Sequence, residues 1–228
     1  MLSKRSSPEK KKKWILDGYM IMQKFQHDSP EEASCVRITK HMINDVFEED
    51  MIHFTNLTEL VLKDNLQIPM YKLRNLPALS KLDLSFNRIE DLHIEPKLDE
   101  NDDDNMLEGI ASALPVFSSL LNLNLSFNKL SFDSLCRLTK LHNTLQNLDL
   151  SGNHLVDIPS EFRYFTKLEC LNLSNNCFRN TKENILGVTN SEAAIDMHTC
   201  KIFDSLSKIL PLKQLNLSQN MLKGIRFK

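Results

Sequence analysis

Residues 145–155 read Leu-Gln-Asn-Leu-Asp-Leu-Ser-Gly-Asn-His-Leu, and the string L-x-x-L-x-L-x-x-N inside them decides the architecture. The same string recurs in one register on both sides. Leu57, Leu60, Leu62 and Asn65 form a copy, as do Leu79, Leu82, Leu84 and Asn87, followed by Ile89 and Leu92. Leu120, Leu123, Leu125, Asn128 and Leu130 form another, and Leu168, Leu171, Leu173, Asn176 and Phe178 repeat it after the central one. Leu212, Leu215, Leu217, Asn220 and Leu222 close the series. A degenerate opening copy is read at Val36, Ile38, His41 and Ile43, with His41 in the Asn slot. Self-similarity at such a period marks a stacked repeat array in which no unit buries its apolar face alone.

The spacing has a direct physical reading. In L-x-L the alternate residues of a short strand point into the stack, following the period of two. Neighbouring copies then lie side by side as a parallel sheet, about 4.8 Å apart. Each Asn sits where the chain leaves its strand, and its amide can bond backbone groups of the adjacent turn as a buried ladder. The string resembles that of leucine-rich repeat proteins. The resemblance implies an α/β solenoid with a parallel concave β-sheet, about seven repeats and two loop-side insertions.

Two intervals between ladder positions are long: 41 residues from Asn87 to Asn128 and 44 from Asn176 to Asn220. Neither contains a second L-x-x-L-x-L, so both are read as insertions, at about 93–118 and 181–210. The first is acidic, with Glu95, Asp99, Glu100, Asp102, Asp103, Asp104 and Glu108. Its Asp99-x-Asn101-x-Asp103 run resembles the start of a calcium loop, but Asp104 and Ile110 stand where that loop needs Gly and Glu. A solvated acidic loop is the reading, followed by a short helix from Met106 to Leu114 before Pro115. In the second, Ile195, Ile202, Phe203, Leu206, Ile209 and Leu210 fall on one helical face behind Ser191 as N-cap, and are expected to pack on the convex side.

Composition bounds the rest. The chain has 228 residues, 28 Lys and Arg against 30 Asp and Glu, and 5 glycines. Near-balanced charge argues against a general polyanion binder, and sparse glycine against phosphate-cradling loops. Five cysteines without a CxxC pair read as reduced, intracellular thiols rather than a disulfide frame or zinc site. Trp14 to Phe25 is too short and too polar for a signal core or a membrane span. Residues 1–25, with Lys4, Arg5 and Lys10 to Lys13, are read as a basic, disordered tail, and residues 26–228 as the repeat domain. The basic run is either a nuclear-localisation signal, a weak nucleic-acid tether or a plain solvated tail. Direct sequence-specific nucleic-acid binding is not expected without a folded basic face or interleaved aromatics.

No catalytic motif and no histidine pair at metal-ligand spacing is present, so neither an enzyme nor a cofactor is expected. Binding is the expectation, and the repeat fixes the surface. Residues flanking the strand leucines project from the concave face in rows. One runs Arg37, Val61, Asp83, Asn124, Asp149, Asn172, Asn216; another Cys35, Glu59, Lys81, Asn122, Asn147, Cys170, Gln214; a third Thr39, Lys63, Ser85, Ser126, Ser151, Ser174, Ser218. The candidate binding residues are Lys63, Lys81, Asp83, Asn122, Asn124, Asn147, Asp149, Asn172 and Asn216. The rows hold no Trp or Tyr anchor, so a merely solvated face accounts for them equally well. Phe86 and Phe127 are expected to pack at the sheet edge rather than to serve as binding anchors.

A narrower resemblance rests on the order of motifs. Cys35-Val36-Arg37-Ile38, then Leu76-Pro77-Ala78-Leu79 leading into Leu82-Asp83-Leu84-Ser85-Phe86-Asn87, then a second Leu-Ser-Phe-Asn at 125–128 before Ser131-Phe132-Asp133-Ser134-Leu135, resembles the X-ray radiation resistance-associated protein family. That resemblance implies a nuclear and cytoplasmic protein linked to the radiation response, with no assigned enzymatic activity and no site residues. It also implies a short form of a longer protein, in line with a last repeat that has no polar cap. The functional expectation is a non-catalytic intracellular protein-interaction scaffold with protein partners and no membrane. The alternative is a regulatory subunit of a phosphatase or nucleic-acid-processing complex.

Overall fold

The computed structural model of the chain describes residues 14–25, 29–95, 117–179, 202–203 and 205–222. Each copy of the string contributes one three-residue strand: β2 (Cys35–Arg37), β4 (Glu59–Val61), β5 (Lys81–Asp83), β6 (Asn122–Asn124), β7 (Asn147–Asp149), β8 (Cys170–Asn172) and β9 (Gln214–Asn216). They form one seven-stranded parallel sheet in sequence order, skipping β3 (Asp45–Val46). The register aligns Leu60, Leu82, Leu123, Leu148, Leu171 and Leu215 as one row. From Leu60 to Leu171 that row is buried, as are the leucines two positions on, Leu62 to Leu173. The fold is therefore a leucine-rich repeat solenoid. β5 bonds directly to β6 and β8 to β9, so both long intervals leave the sheet and return to the next position in it.

The asparagines form the expected ladder. Asn153 donates Nδ2–H to the carbonyls of Leu125 and Leu150, each at 3.0 Å, and its Oδ1 accepts from Leu130 N–H at 3.3 Å. Asn65, Asn87, Asn128, Asn176 and Asn220 each likewise bond a carbonyl of their own turn and one of the preceding repeat. His41 fills the first slot differently. Its Nδ1 approaches the Thr39 carbonyl at 2.6 Å, while its N–H donates to Asn65 Oδ1. Among the described residues no ladder turn precedes the opening slot, so a side chain that bonds only locally suffices there.

The convex side is irregular. Short 3-10 turns at Met70–Leu73 and Ser160–Tyr164 carry the returning chain in two repeats, and α2 (Glu48–Met51) and α3 (Phe132–Leu138) in two others. Ser131 caps α3 by accepting from Ser134 N–H. Ser134, fully buried, donates to the Glu90 carbonyl and accepts from Leu92 N–H, tying the helix to the repeat before it.

Three expectations change. Residues 14–25 do not belong to a disordered tail: β1 (Ile15–Leu16) pairs in parallel with β3, and α1 (Gly18–Phe25) packs beside β2. Leu16 and Ile21 are fully buried, so this segment covers the N-terminal end of the apolar stack, which would otherwise face water. Second, Ile94 and Phe117 are buried in the repeats, so the first insertion is narrower than 93–118 at both ends. Third, Ile202, Leu206 and Ile209 bury their side chains as expected of a convex-side stripe, but Leu210 is 89% exposed. The helical turns end before it, at Ser207, so the helical period no longer sets its direction. Ile195, the acidic run from Asp99 and the helix expected at Met106 to Leu114 lie outside the described residues, as do residues 1–13.

Candidate binding surface

The concave sheet forms a groove of about 630 Å³ lined by residues from all seven strands. Eight of the nine candidate residues, Lys81, Asp83, Asn122, Asn124, Asn147, Asp149, Asn172 and Asn216, line it in the rows that the repeat predicts. Lys63 does not. It stands past the end of β4 and places Nζ 4.8 Å from the centroid of the Phe86 ring. Val61 interrupts its row as a buried apolar side chain. Arg37 and Glu59 close the N-terminal end of the groove with an ion pair.

The two rows across the groove differ in what their side chains are free to do. Asp83, Asn124, Asp149, Asn172 and Asn216 each accept, through Oδ1, the backbone N–H two residues on, at 2.8–3.1 Å. This Asx turn ends the strand, which is why Asp or Asn recurs there. It leaves each side chain one free polar atom, and in Asn172 that Nδ2 already donates to Asp149 Oδ2 at 3.0 Å. The other row has no such duty: Asn147 Nδ2 donates to Asn122 Oδ1 at 2.6 Å, and Lys81 is exposed. Ser85, Ser126 and Ser151, expected on the concave surface, are buried instead. The period of two stops at the end of each strand, and the turn carries these small hydroxyls inward.

Beyond the serines the chain must reverse so that the Asn amide points inside, and every repeat does this with a left-handed residue. Lys40, Asp64, Phe86, Phe127, Gly152, Asn175 and Gln219 occupy the slot, with φ between 53° and 66°. Such a backbone disfavours an L side chain by about 1–2 kcal/mol, least for Asn and Gly. Two repeats nevertheless place Phe there. Their rings stack with centroids 4.4 Å apart and planes 17° from parallel, and remain 44% and 42% exposed. Gly152, next in the column, makes room: a Cβ there would lie 2.7 Å from Phe127 Cδ1. The expectation that both rings sit at the sheet edge holds, but they are surface rather than packing. Sequence alone could have flagged them, because Phe precedes the ladder Asn in only these two repeats.

Among the described residues, no group of three or more His, Cys, Asp or Glu could hold a metal ion, and no helix is long and apolar enough to cross a membrane. Cys35, Cys136, Cys170 and Cys177 are free thiols. Burial, with Glu161 and Asp133 adding to it, holds the Cys136 thiol above its ordinary range, so it is a poor nucleophile at neutral pH.

The arrangement is a stacked-repeat sheet with an open, polar-lined face, and comparison with known proteins agrees with the fold. The Leucine Rich Repeat family profile matches residues 144–165, the central copy. The probable serine/threonine-protein kinase pats1 of Dictyostelium discoideum is 31% identical over 162 residues, covering 63% of this chain and 5% of that protein. A leucine-rich repeat protein of Leptospira interrogans aligns over 85% of this chain and 39% of its own, with a TM-score of 0.56 and 22% identity. An internalin from Listeria monocytogenes aligns over 90% of this chain and 56% of its own, with a TM-score of 0.53 and 19% identity. The chain thus spans a small part of the kinase and about half or less of the two solved structures. None of these likenesses points to the radiation resistance-associated family.

Proposed function

We propose that this chain is a non-catalytic protein-interaction scaffold that seats a protein partner on its concave sheet, without a cofactor. The observation that carries the reading is the continuous groove to which all seven strands contribute, with polar side chains at regular intervals along it. Asn122, Asn147 and Lys81 are its most available contacts, because no backbone turn depends on them. Asp83, Asn124, Asp149, Asn172 and Asn216 offer only the polar atoms that the Asx turns leave over, and Lys63 contributes from the rim. Action in the cytoplasm or nucleus and a link to the radiation response rest on the narrower sequence resemblance alone. Relocalisation of the tagged protein after X-irradiation of cells would support that link, and an unchanged distribution would count against it. A regulatory subunit in a phosphatase or nucleic-acid-processing complex is the form of scaffold that co-purification of such an enzyme would establish.

The test is affinity capture from cell extract with mass spectrometry, comparing wild type with an Asn122→Arg/Asn147→Arg variant that keeps its circular dichroism spectrum. These positions are better probes than Asn124 and Asn172, whose replacement would also release a strand-ending turn. Partners lost in the variant support the concave reading. Partners retained in full refute it.

A further inference from the structure

We infer that the edge of the sheet built around the stacked Phe86 and Phe127 is a docking point for an acidic peptide segment carrying an aromatic or aliphatic residue. The inference rests on the interaction-scaffold reading and adds to it a location and the chemistry of the partner. Three observations meet at this edge. The two rings occupy the backbone slot that suits a large side chain least, with φ of 56° and 53°, and contribute little to the core in return, since both stay exposed. The repeat accounts for the left-handed backbone, which every copy shares, but not for the choice of a large exposed ring in it. Second, the stack is accommodated on its far side by Gly152, the one residue type there that clears the Phe127 ring.

Third, the surroundings are cationic. Lys63 lies over the Phe86 ring, Arg88 is exposed two residues further along the chain, and Lys40 is exposed two repeats back in the same column, beyond Asp64. Among the described residues none of these three has an ion-pair partner. Asp64 is the single carboxylate of the column, and Lys129 is matched by Glu90. An exposed aromatic platform flanked by unmatched cations is complementary to an apolar side chain next to a carboxylate.

The probe is a displayed library of random peptides about twelve residues long, selected on the wild-type protein and followed by fluorescence-polarisation titration of the enriched sequences. Enriched peptides are expected to pair an aromatic or aliphatic residue with Asp or Glu. Their affinity should fall about tenfold or more in Phe86→Asn/Phe127→Asn, and about threefold or more in Lys63→Glu, with a further loss as salt is raised. The double variant should melt no lower than wild type, because Asn175 shows that the slot accepts Asn. A depressed melting temperature would instead give the rings a structural role and overturn the inference. So would enrichment of basic peptides, or of none, or a dimer in light scattering that the Phe variant dissolves. Sensitivity to Asn122→Arg/Asn147→Arg but not to the Phe and Lys63 variants refutes the edge and leaves the concave reading standing. Insensitivity to both refutes both.

Discussion

Replacing Asn153 by Ala tests whether the ladder holds the stack by hydrogen bonds or whether the leucines alone suffice. The side chain is buried and makes four bonds: three from Nδ2, to Leu125 O, Leu150 O and Ser151 O, and one to Oδ1 from Leu130 N–H. The four partners do not suffer equally when it is removed. Leu125 O still accepts from Asn128 Nδ2, Leu150 O from Asn176 Nδ2 and Ser151 O from Phe127 N–H, so each carbonyl keeps one donor. The loss there is that of ordinary net hydrogen bonds, about 0.5–1.5 kcal/mol each. Leu130 N–H has no second acceptor and is left buried and unpaired, which costs about 1–3 kcal/mol. The sum is roughly 2.5–7.5 kcal/mol, a large fraction of the stability of a domain this size.

Two further variants separate this account from mere loss of volume. Asn153→Asp keeps the shape and the acceptor for Leu130 N–H, but it sets a carboxylate against two carbonyl oxygens, so it should destabilise at least as much as Ala. Asn220→Ala removes the same four bonds in the last described repeat, where the residue is only partly buried and water can replace them. It should cost about 1 kcal/mol or less. Urea melts followed by circular dichroism give the three values. An Asn153→Ala cost within about 1 kcal/mol of wild type, or equal to that at Asn220, would refute the reasoning, as would an Asp variant milder than Ala.

Leu125→Ala, at the centre of the buried leucine row, should cost about 2–5 kcal/mol, and a cost under about 0.5 kcal/mol in the same melts would contradict the register. Gly152→Ala should destabilise by about 1–3 kcal/mol, because the new Cβ meets the Phe127 ring. Adding Phe127→Ala should recover part of that loss, and strictly additive effects would show that the contact is unimportant. Cys136 should react with iodoacetamide at about pH 8 more slowly than a model thiol, as followed by mass spectrometry. Its raised pKa makes a contribution to stability that is present below the unfolded thiol's pKa and is lost as pH rises through the folded value. Alkylation as fast as the model thiol would refute the burial argument.

The repeat string was legible down to the register. Each strand, both concave rows beside the leucines and the return of each long interval to the next sheet position follow from aligning the Leu and Asn positions, because side-chain period and ladder geometry leave one solution. The N-terminal cover was not legible, since a two-residue strand and an eight-residue helix carry no repeat signature and the lysines before Trp14 drew the boundary too far along the chain. Nor was the double role of Asp83, Asn124, Asp149, Asn172 and Asn216 visible. The letters that suit a polar binding face are the same letters that end a strand with an Asx turn, and only the Oδ1 distances tell the two apart. Leu210 shows the same limit, because a helical stripe predicts burial only while the helix continues.

Within each repeat, adjacent positions therefore carry separable tasks. The ladder bonds join an Asn side chain to backbone atoms, so they do not depend on what stands immediately before the Asn. Lys40, Asp64, Phe86, Phe127, Gly152, Asn175 and Gln219 can then differ in size and charge while sharing one left-handed backbone. The left-handed conformation is common to the whole column, so outside Gly152, where the Phe127 ring leaves no room for a Cβ, its surface chemistry can change at little expense to the stack. The Asx row is constrained in the opposite sense: it faces the groove, yet Arg or Lys there would release a turn. A partner-specific surface on this scaffold has most freedom in the left-handed column and in the row of Lys81, Asn122 and Asn147. Those are the places where a substitution can change binding without first changing the fold.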